Sequence, residues 1–235
     1  MTIDIKHNVS ETEYSKLMYL ADLCNYEAYT GDEESTEDYF VLAYEDDMPV
    51  GFLSCFAGTV YEVSGVVHPA FRRRGIFTKM LNELRSQIQS DKIIFCGKDK
   101  YIGFRECAAH FGATLSYHEY LMQFAGQYTP SKSNLDYDRV DDEFIFYADD
   151  IEIGSCHVYE EGTQATIYDV FVYEEERGKG YGKNIINEVL RVLVKTHQRL
   201  LLQVSERNEP ACHIYRECGF EIIESTLYFY GEGTI

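Results

Sequence analysis

The 235-residue sequence has no tryptophan, no C-x-x-C pair and no apolar run that approaches 18 residues. Without such a run, we expect no membrane-spanning helix. Because residues 1–6 are mixed polar, we also expect no signal peptide and a cytoplasmic location. The seven cysteines are odd in number and most lie in apolar runs. This pattern indicates reduced thiols that pack as small hydrophobic side chains, rather than disulfides or a metal site.

Basic residues are missing from a long stretch of the chain. Between Lys16 and Arg72 there is no lysine or arginine, whereas eleven acidic residues fall there, and the formal net charge of the chain is −19. This charge argues against nucleic-acid and anionic-membrane partners, because phosphates would be repelled. Two interpretations of the acidic stretch stay open, namely a solvated, solubilising face and a mouth that attracts a cationic substrate.

The remaining composition is typical of a globular protein, and it contains a repeat. Hydrophobic residues make up 45% of the chain and aromatic residues 14%. Val67 and Val172 lie 105 positions apart, and Arg72 and Arg177 have the same offset. The two halves align without a gap through this region. This self-similarity indicates the duplication of one strand-helix unit.

The repeat predicts two domains of one fold. We expect a first domain over residues 1–125, a polar linker over 126–134 and a second domain over 135–235. Ser10 and Glu13 fit a capping box, which predicts that a helix begins directly after the serine. In each half, short apolar runs precede a loop, which is followed by a helix, a strand, a second helix and a last strand. The predicted fold class is therefore a mixed α/β sheet.

The loop Arg177–Gly182, of sequence R-G-K-G-Y-G, is the strongest functional signal. Its glycines allow close approach to a ligand, and the helix that follows aims unpaired N–H groups at an anion. The loop matches neither G-x-G-x-x-G nor G-x-x-x-x-G-K-[ST], which disfavours dinucleotide-binding and P-loop interpretations. Its pattern is R-x-x-G-x-G, and it is followed by N-E-P-A from Asn208 and by Y-R-E-C-G-F from Tyr215. This ordered pair of segments resembles the GNAT superfamily of acyl-CoA N-acyltransferases.

The resemblance covers about residues 143–230 and implies tandem GNAT-like folds, each a mostly antiparallel sheet with a central strand-loop-helix for CoA. It also implies acetyl-CoA as cosubstrate, without a metal. In the family, the loop binds the pyrophosphate, while the preceding strand end and an asparagine contact the pantetheine arm. Asn208 also fits a helix N-cap. The cofactor-binding residues implied here are Phe171, Val172, Arg177, Gly178, Lys179, Gly180, Tyr181, Gly182 and Asn208.

Two residues are expected to carry the chemistry. The acceptor amine arrives as an ammonium and a thiolate must leave, so a base and an acid must flank the thioester. By resemblance, Tyr215 is the acid, and the alternative is an aromatic ring packed under its helix. Asp169 is the candidate base, because polyamine acetyltransferases of the family carry an acidic pair on this strand. Only its second acid is matched here, since Tyr168 stands at the first. The alternative is an ordinary solvated acid, and Glu206 and His213 are lesser candidates.

The first half departs from the family pattern. Phe77 replaces the last small residue of the loop, Ala108 stands opposite Tyr215, and Ser64 stands opposite Asp169. We therefore expect the first domain to be degenerate, with a structural or acceptor-site role. The second domain is expected to bind acetyl-CoA and to acetylate a primary amine of a small molecule or peptide by direct attack. The alternative is a non-catalytic CoA-binding sensor or scaffold.

Overall fold

The computed structural model describes residues 1–26, 38–88, 92–128 and 135–232. The chain divides into two compact units, which are Met1–Ser116 with Leu227–Ile235, and Tyr117–Thr226. Each unit contains its own buried core. The prediction of a mixed α/β sheet fold in two similar halves is confirmed.

The first unit begins with a strand and a helix that come before the repeated part. Its elements are β1 Thr2–Lys6, α1 Glu11–Leu23, β2 Tyr39–Glu45, β3 Met48–Ala57, β4 Tyr61–Val67, α2 Ile76–Gln87, β5 Lys92–Lys98 and α3 Phe104–His110. The strand order is β1-β2-β3-β4-β5, and β12 (Phe220–Glu232) follows at the edge of β5. Strands β1 to β4 pair antiparallel, whereas β4 and β5 pair parallel.

The second unit repeats this arrangement, but the strands that correspond to β1 and β2 are joined without a helix. Its elements are β6 Thr114–Phe124, β7 Asp136–Val140, β8 Glu143–Ala148, β9 Ile151–Glu161, β10 Gln164–Val172, α4 Tyr181–Leu193, β11 Arg199–Ser205 and α5 Glu209–Glu217. The strand order is β7-β8-β9-β10-β11-β6. Strands β10 and β11 are parallel, and the other pairs along this series are antiparallel.

Side chains at helical spacing hold the repeated helix of each half on its sheet. In α2, Met80, Leu81 and Leu84 are fully buried, and α4 buries Ile185 and Val189 in the same way. Burying one such side chain stabilises a protein by about 1.5–3 kcal/mol, so this face fixes the start of each helix relative to the strand before it. The loop between strand and helix is therefore positioned from both sides.

The compact units differ from the predicted domain boundaries in two segments. Residues 119–123 of β6 pair with β11, so this part of the predicted first domain belongs to the sheet of the second unit. Leu227 and Phe229 of β12 lie in the core of the first unit. The predicted linker residues 129–134 lie outside the described residues.

Two strands, β1 and β7, were not predicted. In β1 only Ile3 and Ile5 pack on a core, and the strand is five residues long. In β7 the acidic residues face outward, and Tyr137 packs its ring 5.5 Å from that of Phe144. A short strand with one or two inward side chains gives little hydrophobic alternation to read from sequence.

Candidate functional site

Both units contain a strand-loop-helix with the same backbone course. In the second unit, a 3-10 turn at Glu174–Glu176 follows β10, and Gly180 at the N-cap of α4 has φ of 86°. In the first unit, a 3-10 turn at Pro69–Phe71 follows β4, and Gly75 at the N-cap of α2 has φ of 73°. No side chain caps either helix start. The first N–H groups of both helices are therefore available to a ligand in front of the loop.

Each loop is fastened to the strand before it by an arginine. Arg177 Nε donates to the Val172 carbonyl at 3.0 Å, and Arg72 Nε donates to the Val67 carbonyl at the same distance. A Cβ placed on Gly180 would meet no heavy atom within 4 Å. This open cradle fits a phosphate, because backbone N–H groups, a helix dipole and a guanidinium surround it.

Lys179 of the second loop and Lys183 at the start of α4 are already paired with carboxylates. Lys179 Nζ lies 2.8 Å from Glu176 Oε2, and Lys183 Nζ lies 2.9 Å from Glu217 Oε2. These hydrogen bonds raise the pKa of both lysines. Exposed pairs of this kind are screened by solvent and contribute little to stability, so an incoming phosphate can take over their cations.

Strands β10 and β11 separate beside the loop. They pair only through Gln164–Ile167, so the rest of the β10 edge that faces β11 is unpaired. The opposite edge is occupied by β9, with Phe171 opposite Ser155 and Val172 opposite Gly154. An unpaired strand edge can bind an extended, amide-containing arm as a further strand would bind.

Asp169 lies at an irregularity in β10. The pairing of β10 with β9 shifts register between Tyr168 and Phe171, and Asp169 has φ of 48° there. Its side chain is exposed. The neighbouring Tyr168 donates a hydrogen bond of 2.5 Å to Asp142 Oδ2, which lowers the pKa of that carboxyl, and its ring stacks on His157. The bulge thus turns Asp169 away from the regular strand into solvent.

Tyr215 lies on α5 and is only 7% exposed. Burial, followed by the neighbouring thiols of Cys156, Cys212 and Cys218, raises its pKa to about 12. Its ring centroid lies 6.4 Å from that of Phe220. The ring of Tyr215 therefore packs under its helix, as the alternative interpretation described. The raised pKa keeps its hydroxyl protonated at neutral pH.

Asn208 caps α5. Its side chain accepts a hydrogen bond from the Ala211 N–H at 3.2 Å, and Pro210 occupies the first turn. This bond uses only the amide oxygen. The amide nitrogen can still donate to a ligand.

The two lesser base candidates have different surroundings. Glu206 accepts hydrogen bonds from the His118 N–H at 2.8 Å and from the Tyr120 hydroxyl at 3.4 Å, which hold it at the end of β11. The His213 side chain is 74% exposed, and its Nε2 lies 3.4 Å from Glu217 Oε1. Glu206 is thus fixed within the fold, whereas His213 faces solvent.

A cavity of about 740 Å³ lies in the first unit, where the sequence had predicted a degenerate site. It opens between β4 and β5, which pair only through Tyr61–Val63, and it extends under the Arg72–Gly75 segment of the loop to α3. The small Ala108 side chain is among the residues that line it. The sequence contained this signal, but Ala108 was interpreted only as the loss of an acid.

Within residues 1–26, 38–88, 92–128 and 135–232, no group of three or more His, Cys, Asp and Glu side chains is placed to hold a metal ion. None of the helices in those ranges is long and apolar enough to span a membrane. All seven cysteines are free, and four of them are buried.

The family model described as Acetyltransferase (GNAT) family matches this chain twice, over residues 6–102 and 115–220. The chain belongs to the GNAT acetyltransferase family. It is a GNAT-type N-acetyltransferase with a tandem architecture. No curated protein matches the sequence.

Solved GNAT structures share the fold of this GNAT protein at low sequence identity. A GCN5-related N-acetyltransferase from Sphaerobacter thermophilus is 15% identical, with a TM-score of 0.76 over 98% of this chain and 95% of that chain. A tandem GNAT protein from the clavulanic acid biosynthesis pathway is 14% identical, with a TM-score of 0.68 over 100% and 99% of the two chains. The glucosamine N-acetyltransferase region of a fungal multi-domain GH3 β-N-acetylglucosaminidase is 13% identical, with a TM-score of 0.74 over 97% and 38%.

Proposed function

We propose that the second unit transfers the acetyl group of acetyl-CoA directly to a primary amine, without a covalent enzyme intermediate. The observation that carries this proposal is the separation of β10 from β11 beside the R-x-x-G-x-G loop. Asp169 lies on the first of these strands, and Tyr215 lies on the helix that follows the second. The first unit has Ser64 and Ala108 at the corresponding positions, so transfer is assigned to the second unit despite the cavity in the first.

In this proposal the amine attacks the acetyl carbonyl, a C–N bond forms, and the C–S bond breaks. The nitrogen loses its second proton to solvent as the thiolate departs. Asp169 is exposed at the bulge and takes the proton of the ammonium directly or through a water molecule. Tyr215 is assigned to the departing thiolate. Its pKa of about 12 lies above the value of about 8.5 that is typical of a thiol, so it stabilises the thiolate mainly by donating a hydrogen bond.

We propose that the acceptor is a small cation or a lysine-bearing peptide. The support is the acidic stretch between Lys16 and Arg72, of which Asp32, Glu33 and Glu34 lie outside the described residues. One structural neighbour is described as a glucosamine N-acetyltransferase region, and glucosamine is a small molecule with a primary amine. An acidic field raises the local concentration of a cation and speeds its encounter with the site.

The acceptor proposal predicts a strong salt dependence. From about 20 to 300 mM salt, kcat/KM for the best amine should fall steeply, because the Debye length shortens severalfold. The triple variant Asp32→Asn, Glu33→Gln, Glu34→Gln should show a flatter dependence. Kinetics that do not change with salt, or a preference for neutral acceptors, would leave the acidic residues as a solvated surface.

The direct test of function is the release of free CoA from acetyl-CoA in the presence of amines. The panel should include polyamines, aminoglycosides, amino sugars and lysine peptides. Release with one class above the hydrolysis background would support transfer. Acetyl-CoA binding without release across the whole panel would favour the sensor or scaffold alternative.

Gly180→Trp should abolish turnover and weaken acetyl-CoA binding at least tenfold, on the order of 1.4 kcal/mol. A Cβ at Gly180 meets no protein atom, so the indole would occupy the space assigned to the phosphates. The measurement is CoA release together with calorimetric titration of acetyl-CoA.

Gly162→Trp is the matched control. Gly162 also has positive φ, at 58°, with nothing within 4 Å of an added Cβ, and it lies in the turn between β9 and β10. The strain of a non-glycine residue is therefore shared by both variants, and only blockage of the loop differs. Equal effects of the two substitutions would contradict the loop assignment.

A further inference from the structure

The cavity of the first unit has a basic end. Between the end of β4 and the start of α2, the loop contains Arg72, Arg73 and Arg74 and no acid, whereas the corresponding loop of the second unit contains three glutamates beside Arg177 and Lys179. Arg72, Arg73 and Gly75 line the cavity mouth. Of the two loops, this one therefore has the charge that better suits an anionic group such as a pyrophosphate.

The backbone of this loop is strained at a basic residue. Arg73 has φ of 61°, in the left-handed region that Gly178 occupies at 78° in the second loop. An L side chain adopts this conformation at a cost, and such strain persists mostly where function retains it. The course of the loop is thus maintained although glycine is absent, and Arg73 adds a second guanidinium beside Arg72 at the cavity.

The other end of the cavity is apolar. Strands β4 and β5 rejoin at Val63 and Phe95, and the Phe95 ring stacks on Phe111 with 5.7 Å between centroids. Ala108 closes this end from α3. A ligand that reaches from the arginines to this end therefore meets basic side chains at one end and apolar side chains at the other.

The space at Ala108 is the space that a tyrosine fills in the second unit. Helices α3 and α5 both end at a left-handed glycine, Gly112 with φ of 72° and Gly219 with φ of 93°, and counting back from these places Ala108 opposite Tyr215. Tyr215 is buried in its core. The exchange of tyrosine for alanine therefore removes a phenol from the wall and leaves the end of the cavity deeper.

Phe77, which replaces the last small residue of the loop, does not close the cavity. Its ring packs on Phe111 at 5.7 Å, and both residues line the wall. In the second unit the corresponding Gly182 would bring an added Cβ within 3.4 Å of Ile214 Cδ1 on α5. Phe77 thus fills the space between α2 and α3 and extends the apolar surface.

We propose that the first unit binds an acyl thioester of CoA whose acyl chain is longer than acetyl. Its phosphates bind at Arg72–Gly75, and its hydrocarbon chain occupies the end at Val63, Phe95, Ala108 and Phe111. The inference rests on the proposed use of CoA thioesters by this protein. It assigns to the first unit a ligand that differs from acetyl-CoA in the second unit.

The test measures the affinity of the full chain for CoA and for acetyl-, butyryl- and hexanoyl-CoA by calorimetric titration. The protein carries Gly180→Trp, so that the second loop is blocked. Burial of each added methylene is expected to tighten binding about fourfold, so the four added methylenes of hexanoyl-CoA should tighten binding up to about 250-fold relative to acetyl-CoA. Equal affinities for all chain lengths, or no binding at all in this background, would overturn the inference.

Ala108→Tyr should remove the gain with chain length and leave the affinity for CoA itself, because the phenol restores the wall seen in the second unit. Ala109→Tyr is the control, since Ala109 lies next to it on α3 and is exposed. If Ala108→Tyr fails to fold, Ala108→Leu should reduce the gain in part. A chain-length gain that survives substitution at Ala108 would place the acyl chain elsewhere and overturn the proposal.

The outcome is independent of the proposed acetyl transfer. Failure of the proposed function would appear as the absence of acetyl-CoA-dependent CoA release in the unsubstituted protein. Failure of the chain-length inference would appear only in the Gly180→Trp titrations.

Discussion

Tyr215→Phe is expected to lower kcat by about 100-fold or more while the affinity for acetyl-CoA stays nearly unchanged. The hydroxyl is needed only as the thiolate forms, so its loss raises the barrier without weakening ground-state binding. Removing one hydrogen-bond donor to a developing negative charge typically lowers kcat by about 100- to 1000-fold. The measurement is single-turnover CoA release together with the dissociation constant of acetyl-CoA.

The raised pKa of Tyr215 gives this variant a recognisable pH signature. Because the pKa of the buried phenol is about 12, the hydroxyl stays protonated at neutral and mildly alkaline pH. The ratio of wild-type to variant rates should therefore be constant through this range. A ratio that collapses between about pH 9 and about pH 11 would mean that the phenol titrates near its usual value of about 10, against the burial argument.

Tyr137→Phe is the matched control for Tyr215→Phe. Tyr137 is a partly buried tyrosine that packs on the same core from β7. Loss of its hydroxyl should leave kcat unchanged, because it lies outside the proposed site. An unimpaired Tyr215→Phe enzyme would return Tyr215 to a packing role.

Much of the fold could be predicted from the sequence, because local signals and periodicity agreed. Ser10 and Glu13 form the capping box that was predicted, and α1 begins at Glu11. The repeated loops lie between a strand and a helix in both units, as the 105-residue offset predicted. These features depend on neighbours within about four residues, which the sequence displays directly.

The assignment of β6 and the end of β12 to particular units could not be predicted in the same way. Strand β6 follows α3 in the chain, yet residues 119–123 pair with β11. Leu227 and Phe229, near the end of the chain, pack in the core of the first unit. Which partner a strand edge selects depends on the whole sheet, and hydrophobic alternation is the same for either partner.

The sequence proposes residues for the candidate site, but it does not show their electrostatic surroundings. Lys179 lies in the loop motif and Lys183 follows it on α4, whereas their pairing with Glu176 and Glu217 depends on packing across the loop and between helices. The left-handed backbone of Asp169 arises from a pairing shift between β9 and β10, which no local pattern predicts. The cavity at Ala108 likewise depends on side chains from a strand and a helix.

Asp169→Asn is expected to lower kcat/KM for a fully protonated amine by about 100-fold at neutral pH, because the amide cannot accept the ammonium proton. Asparagine has nearly the same shape and tolerates the left-handed conformation that Asp169 adopts at φ of 48°. The substitution therefore removes the carboxylate with little cost to the bulge. Asp150→Asn is the control, since Asp150 is exposed, has φ of 63° and lies in the turn before β9.

The basicity of the acceptor distinguishes a base at Asp169 from a carboxylate that only attracts the cation. Amines of low pKa are already neutral at the assay pH and need no base, so the defect of Asp169→Asn should shrink as the pKa of the amine falls across a series of similar size. A carboxylate that only attracts a cation would also lose its effect on neutral amines, but its effect on protonated amines would vanish at high salt. Proton transfer from the ammonium to Asp169 would not be screened by salt. A defect with protonated amines that persists at about 300 mM salt and disappears for weakly basic amines would assign Asp169 as the base. Equal rates of Asp169→Asn and Asp150→Asn would instead transfer that role to Glu206, which the His118 N–H and the Tyr120 hydroxyl hold at the end of β11.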